Sequence, residues 1–368
     1  PFLADLAAGH AQRIYETPEF ADLSLTPAPI WDSVSLRKYA SVNIQYSRGC
    51  PFDCEFCNIT ALLGHKPRVK PTDRMIEELD GLYKAGWRST IFFVDDNFIG
   101  NKRKLKTELL PALIEWRKDK PEIGFQTEVS INLADDEELL QMMVAAGFVT
   151  VFIGIETPDE ESLFECSKKQ NRNRDLVESV HLLQRAGLEV QGGFIVGFDS
   201  DKPSIFERQI QFIQESGIVT AMVGLLQAPR GTRLYQRLAN EGRLLHESSG
   251  NNVDGGMNFI PRMRPEMLIE GYQRILQGIY TPDAYYERVK TFLEQYVPSE
   301  VVKPKLSPAE IGAFFKSIYL LGMRGKERVQ YWKLFFWALF RRPRLFPKAI
   351  TFSIYGFHFR RICESIGK

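Results

Sequence analysis

Between residues 41 and 226 the chain alternates between two textures. Short apolar runs rich in β-branched and aromatic residues occur at 42–46, 90–94, 124–129, 150–155, 190–196 and 219–226. Segments with helical spacing of apolar positions lie between them, at 72–84, 105–118, 135–145, 174–185 and 204–215. Strand then helix, repeated about six times, implies parallel pairing with helical crossovers. The strand runs are mostly continuous rather than alternating, as in sheets covered by helices on the outside. The expected fold class is α/β: a partial TIM-like (βα)6 barrel followed by a smaller, mainly helical C-terminal domain. An open doubly wound sheet is the alternative. Punctuation supports the helices. Thr72 is a candidate N-cap, and Gly86, Gly147, Gly187 and Gly217 follow helices, where a left-handed residue is cheapest as glycine.

The flanks differ from this core. Residues 1–40 carry Pro18, Pro27 and Pro29 and read as a linker from an upstream domain. The core is placed at 41–245. A polar, glycine-rich stretch at 248–256 opens the C-terminal domain, 246–368, with helices expected at 265–280 and 282–295 and then a basic, aromatic tail. No signal peptide is visible.

In barrels of this kind, chemistry sits where strands end and loops begin. The unusual polar residues are found there. Cys50, Cys54 and Cys57 follow the first strand, and Asp95, Asp96 and Asn97 follow the second. Glu128 and Ser130 close the third, Glu156 closes the fourth, and Asp199 follows the fifth. Five cysteines, three of them inside eight positions, do not make a disulfide framework; a metal or redox site in a reducing cytoplasm fits better. Thiolates bind zinc and iron–sulfur clusters alike. With His65 the spacing would close a four-ligand zinc site. Three thiolates on a four-iron cluster would instead leave one iron open, as a catalytic metal requires.

"CPFDCEFC" resembles the signature of the radical S-adenosylmethionine (SAM) enzymes, C-x3-C-x-aromatic-C, with Phe56 as the aromatic. "FFVDDNF" resembles that family's second-strand motif, whose polar residues hold the SAM amino group; Asp95, Asp96 and Asn97 are the candidates. "GGFIVGFDS" resembles the stretch bordering the adenine, matching at Gly193, Ile195 and Gly197, with Ser200 where the family has Glu. "KKQNRNRD" resembles the basic segment whose arginine pairs with the SAM carboxylate, which points to Arg174, or Arg172. Glu128 and Glu156 are candidate acceptors for ribose hydroxyls. The resemblance implies a [4Fe-4S] cluster on Cys50, Cys54 and Cys57, SAM on its open iron, reductive cleavage to a 5′-deoxyadenosyl radical, and an electron donor such as flavodoxin or ferredoxin. The C-terminal text further resembles the cobalamin-dependent subgroup that includes hopanoid C-2 methylases. That implies radical C-methylation of a lipid or other hydrophobic substrate, with cobalamin bound mainly by an upstream domain. The cobalamin signature D-x-H-x-x-G is missing from these residues. Rearrangement, dehydrogenation or RNA modification without methyl transfer, and a non-catalytic zinc-stapled membrane-peripheral module, are the alternatives.

Charge is unevenly spread. From Val301 to Lys368 there are fourteen Lys and Arg against three Asp and Glu, so this stretch is +11 and the rest −10 for a chain of +1. Aromatic and basic residues on short helices suit a membrane surface, and uncharged runs there such as 334–340 are far below the ~20 residues that span a bilayer. The chain is expected in the cytoplasm, peripheral to the inner membrane face, with packing of the tail on the barrel as the competing reading. Nucleic acid is the less favoured partner.

Overall fold

The computed structural model describes residues 1–17, 19–248, 250, 256–303 and 308–366. Only Ser248, Gly250 and Gly256 of the polar 248–256 stretch fall among them. Its strands are β1 (Val42–Ile44), β2 (Ser47–Arg48), β3 (Arg68–Val69), β4 (Ile91–Phe93), β5 (Phe125–Glu128), β6 (Phe148–Glu156), β7 (Glu189–Val196) and β8 (Ala221–Leu225). Six of them form one parallel sheet in the order β1-β4-β5-β6-β7-β8, and β2 and β3 make a small antiparallel ribbon. The order follows the chain without reversal. A doubly wound sheet reverses at a switch point; this one does not, so it is the partial (βα)6 barrel.

Helices cover one face of the sheet. The Thr72–Lys84 helix buries Met75, Leu79 and Leu82 on its apolar stripe. Behind the strands Phe93, Phe125 and Phe148 pack ring against ring at 5.2–5.5 Å between centroids. The register of β5 with β6 shifts after the Phe125–Phe148 pair, which breaks the alternation between Phe148 and the rest of β6. Phe152 and Gly154 of β6, Gly193 and Ile195 of β7, and Met222 and Gly224 of β8 line an internal cavity.

Most helix boundaries fall within two residues of expectation, and all four terminal glycines have positive φ. Thr72 is not the N-cap. Pro71 occupies that place without a side-chain bond, and the buried Thr72 hydroxyl finds no partner. The segment expected as one helix at 105–118 begins at Lys102 and opens into a π turn over Leu105–Leu109 before Leu110–Trp116. Pro111 explains it: proline has no N–H to donate and its ring crowds the carbonyl four residues back.

The C-terminal helices begin where expected, at Pro265–Tyr280 and Pro282–Gln295. Both pack on the Ile205–Ser216 helix. The first approaches so closely that a Cβ on Gly271 would overlap the Phe206 ring. In the second, the fully buried Arg288 donates to Gln214 Oε1 (2.6 Å) and the Ile279 carbonyl (2.7 Å). The tail folds into helices Pro308–Ser317, Arg328–Arg341 and Phe346–Ile366. Tyr331, Leu334 and Ala338 point inward, while Phe336 and Phe340 on the same helix are exposed. Among the described residues no helix is long and apolar enough to cross a membrane.

Candidate active site

The loop after β2 carries the three cysteines, all partly buried and unpaired. They are near neighbours: Cys50 and Cys54 both bear on the Cys57 thiol, which burial pushes up to about 11. Burial also raises Cys50. The side chains aimed at these sulfurs are donors. Asn97 Nδ2 lies 3.9 Å from Cys50 Sγ and Gln170 Nε2 lies 3.8 Å from Cys54 Sγ. The Lys168 ammonium acts on all three sulfurs, lowering the Cys50 and Cys57 thiols and being itself raised by Cys54. Donors and a cation around buried sulfur favour thiolate, the form a metal takes up with release of a proton. This donor set fits a thiolate-ligated cluster. A closed zinc site would need His65 as its fourth ligand, and His65 is exposed.

Lys168 is held by Glu156, whose Oε1 accepts from its Nζ at 2.5 Å. Glu156 is placed by local strain. Its φ is +64°, and the pairing register of β6 with β7 slips between Gly154 and Glu156. A non-glycine residue in that region costs about 1–3 kcal/mol and persists only where its surroundings enforce it. Here they do. Asn171 Nδ2 donates to the Gly154 and Ile155 carbonyls (3.1 and 2.9 Å), and Gln209 Nε2 to those of Glu156 and Ile195 (3.3 and 2.7 Å). A Cβ on Gly154 would meet the Glu156 carboxylate and the Lys168 ammonium, so a larger residue there would displace the ends of this pair.

The acidic residues divide. Asp95, fully buried, accepts from the backbone N–H groups of Tyr46 (3.1 Å) and Ser47. It is committed to the protein's own backbone, bracing the approach to the cysteine loop. Asp96 is different: its Oδ2 is buried without a partner, and burial raises its carboxyl. Asn97 is buried, and its Oδ1 accepts from Ser130 N and Oγ, both at 3.3 Å. Burial first, then Asp96 and Asp95, push Glu128 up to about 7. This is a corner rich in carboxyl groups, with Arg48 acting on Asp96, and it is suited to a ligand ammonium.

In the basic segment the arginines are engaged within the protein. The Arg174 fork grips Asp135 at 2.9 and 2.6 Å, and Arg172 lies 3.7 Å from Glu160 and over the Phe164 ring. Neither turns to the thiols. Lys168 and Gln170, in the same "KKQN" text, do. Sequence reading passed over them because lysine and glutamine are the commonplace members of a run in which arginine draws attention.

A cavity of about 500 Å³ runs along Phe56, Phe152, Gly154, Glu156, Gly193 and Ile195. A Cβ on Gly193 would come 2.8 Å from the Phe152 ring, so glycine keeps this wall open. Gly197, with φ +109°, turns the chain at the end of β7. The far wall belongs to the C-terminal helices: Tyr272, Leu276 and Tyr280, and Phe359, Ile362 and Cys363. The lining is mainly apolar. The fully buried Cys166 sits beside the three-thiol group: its carbonyl accepts from Glu55 N–H at 2.9 Å, and its thiol bears on Cys54 and Lys168.

Comparison with known proteins agrees with this geometry. Residues 44–213 match the model of the radical SAM superfamily, and residues 232–368 match a domain of unknown function, DUF4070. An uncharacterized methyltransferase of Synechocystis is 40% identical over 99% of this chain, which spans 69% of that protein. Hopanoid C-2 methylase of Rhodopseudomonas palustris is 35% identical over 89% of this chain, which spans 63% of it. Among solved structures, the cobalamin-dependent SAM radical enzyme OxsB superposes with TM-score 0.54 at 12% identity, over 99% of this chain and 62% of that one. The radical SAM methyltransferase TsrM of Kitasatospora setae, with cobalamin and a [4Fe-4S] cluster bound, gives 0.52 at 15%, over 88% and 62%. At these identities the likeness shows the fold alone.

Proposed function

This chain belongs to the radical SAM superfamily, a family that uses a [4Fe-4S] cluster and SAM, and from that premise we propose that it serves cobalamin-dependent C-methylation of a hydrophobic substrate. It is a radical SAM enzyme whose named relatives include methyltransferases. The observation that carries the substrate class is the cavity: it begins beside the cysteine loop and Glu156 and ends on an apolar wall of helical side chains.

Cys50, Cys54 and Cys57 would hold the cluster. Asp96 and Asn97 would face the SAM amino group, with Glu128 behind them; Asp95 supports their strand end from within. Lys168 would hold the negative end of the site, taking over the part expected of Arg174. Glu156, Gly193, Ile195 and Gly197 would shape the nucleotide side, and Phe56 would close the loop against Phe198, whose ring lies 6.2 Å away. A cluster held there would supply the single electron for reductive cleavage of SAM, the chemistry by which hydrogen would be removed from a substrate carbon. The chain's own contribution is to position and to exclude water: a buried pair, Lys168 and Glu156, at one end and an apolar wall at the other. Cobalamin would be held mainly by a domain outside these 368 residues, which span 69% and 63% of the two relatives. On this reading residues 41–245 form the barrel and 246–368 a substrate-enclosing helical unit. The exposed faces of the tail helices would rest on an anionic membrane from which a lipid substrate is taken.

The test is chemical. Anaerobic reconstitution followed by dithionite and SAM should release 5′-deoxyadenosine from this chain. Methyl transfer to a triterpenoid should require the full-length protein with cobalamin. Transfer that proceeds in cobalamin-free full-length protein would overturn the proposed dependence.

A further inference from the structure

The cysteine loop is gripped from outside the radical SAM match. The helix Arg233–Asn240, just inside the DUF4070 match at 232–368, presents Arg233 and Arg237 one turn apart. Residues four apart share a helix face. Arg237 Nε and Nη2 donate to the two carboxylate oxygens of Glu55 at 2.7 and 3.0 Å, and its Nη1 donates to Asp199 Oδ2 at 2.8 Å. Arg233 Nη2 donates to the Asp53 carbonyl at 2.5 Å and lies 3.2 Å from its carboxylate. Asp53 and Glu55 flank Cys54. Glu55 is held at every polar group it has: its N–H donates to the Cys166 carbonyl (2.9 Å) and its carbonyl accepts from Leu234 N–H (3.0 Å). Asp199 lies two residues beyond Gly197, on the nucleotide side. It also accepts from Arg243 at 2.8 and 2.6 Å, while its own N–H donates to Glu165 at 3.0 Å.

We infer that Arg237 is a positioning residue: one guanidinium ties the loop between the second and third cysteines to the loop after β7. This rests on the cluster reading above. Glu55 and Asp199 are largely buried and Arg237 only partly exposed. A planar fork can serve two carboxylates at once, one of them bidentately, where an ammonium is a single point. The grip fixes the separation of Cys54 from Cys57 and links the two loops between which SAM would sit. It also gives the DUF4070 region a part at the cluster in addition to the cavity wall. Asp199 stands one residue before the family's acidic position, and its side chain is taken up by this network.

The test uses the whole 368-residue chain as Arg237→Gln, Arg237→Lys and Glu55→Gln, with Arg344→Gln, which breaks only an exposed surface pair with Glu300, as control. In the metal-free protein, iodoacetamide should label Cys54 and Cys57 several-fold faster in the first three than in wild type, relative to Cys363 and at unchanged far-UV dichroism. After anaerobic reconstitution those three should hold fewer than four irons and give a broadened electron paramagnetic resonance signal, with Arg237→Lys failing to restore it. Wild-type labelling ratios and a wild-type spectrum in Arg237→Gln and Glu55→Gln would overturn the inference. If Arg237→Gln does not fold, Glu55→Gln decides, since it leaves the arginine bonded to Asp199. Failure of wild type to take up iron would defeat the cluster reading instead, and the labelling ratios would still decide the grip.

Discussion

At the scale of single residues, the site is organised by burial and by which charges have partners. Lys168 and Glu156 are both nearly inaccessible and 2.5 Å apart. Removing one partner of a buried pair leaves the other charge uncompensated and typically costs about 3–5 kcal/mol. Lys168→Met should therefore lower the free energy of urea unfolding by that order, and the double change with Glu156→Gln should recover most of it. Glu128 predicts a pH dependence. Folded, it keeps its proton to about pH 7; unfolded, it releases it near 4.5. The folded state thus binds more protons between these values, so its contribution to stability is present below about 4.5 and is lost as pH rises through about 7. Asp96 and Asp95 face it and push in the same direction. Glu128→Gln should flatten this part of the stability–pH curve, measured by denaturation from about pH 4.5 to 8; an unchanged slope would contradict the assignment. At this scale the sequence was legible where spacing encodes chemistry, as in the cysteine triad. It was not legible where a side chain's partner comes from a distant strand. Nothing in "FFVDDNF" tells that Asp95 turns to the backbone of Tyr46 while Asp96 keeps one buried carboxylate oxygen, Oδ2, without a partner. Nothing in "KKQNRNRD" tells that Arg174 finds Asp135.

At the scale of elements, the strands and helices follow from periodicity because each buries one face against the sheet. The exceptions have local causes, Pro111 in the π turn and Pro71 displacing Thr72 as the cap. Interhelical approach was not readable, because a glycine inside an apolar helix looks like a weak position until its neighbour is known. Gly271 sits against the Phe206 ring, so Gly271→Ala should cost about 1–3 kcal/mol by overpacking, with a clear fall in melting temperature. Gly312, on the Pro308–Ser317 helix, has open space where a Cβ would stand, with no neighbouring atom within 4 Å. Gly312→Ala should be neutral or stabilise by about 0.5–1 kcal/mol through helix propensity. The pair separates packing from propensity in one thermal-melt experiment.

At the scale of the molecule, the barrel and the C-terminal helices share one interior. Lys348 of the last helix meets Glu189 of β7 at 2.5 Å, and Tyr285 donates to the Phe352 carbonyl at 2.7 Å. Strand order could be anticipated from the alternation, and so could the two C-terminal helices. That those helices wall the cavity, and that the helix at 233–240 grips the cysteine loop, could not, since both depend on contacts between residues far apart in the chain. The tail shows both of the faces weighed from sequence: Tyr331, Leu334 and Ala338 pack, while Phe315, Phe336 and Phe340 stay exposed near Lys316, Lys333 and Arg341 in the chain. If that face rests on lipid, Phe336→Ser with Phe340→Ser should cut cosedimentation with anionic vesicles about tenfold or more, each buried Phe contributing ~1.5–3 kcal/mol. Equal binding by the variant would remove the membrane from the account.

The proposed site stands on three cysteines that hold a four-iron cluster with one iron left for SAM. Electron paramagnetic resonance of the anaerobically reconstituted, dithionite-reduced chain tests it most directly. The account predicts about four irons per chain and a reduced-cluster signal whose g values shift when SAM is added, all lost in Cys54→Ala. A chain that instead binds a single zinc ion, or a cluster signal indifferent to SAM, would contradict it.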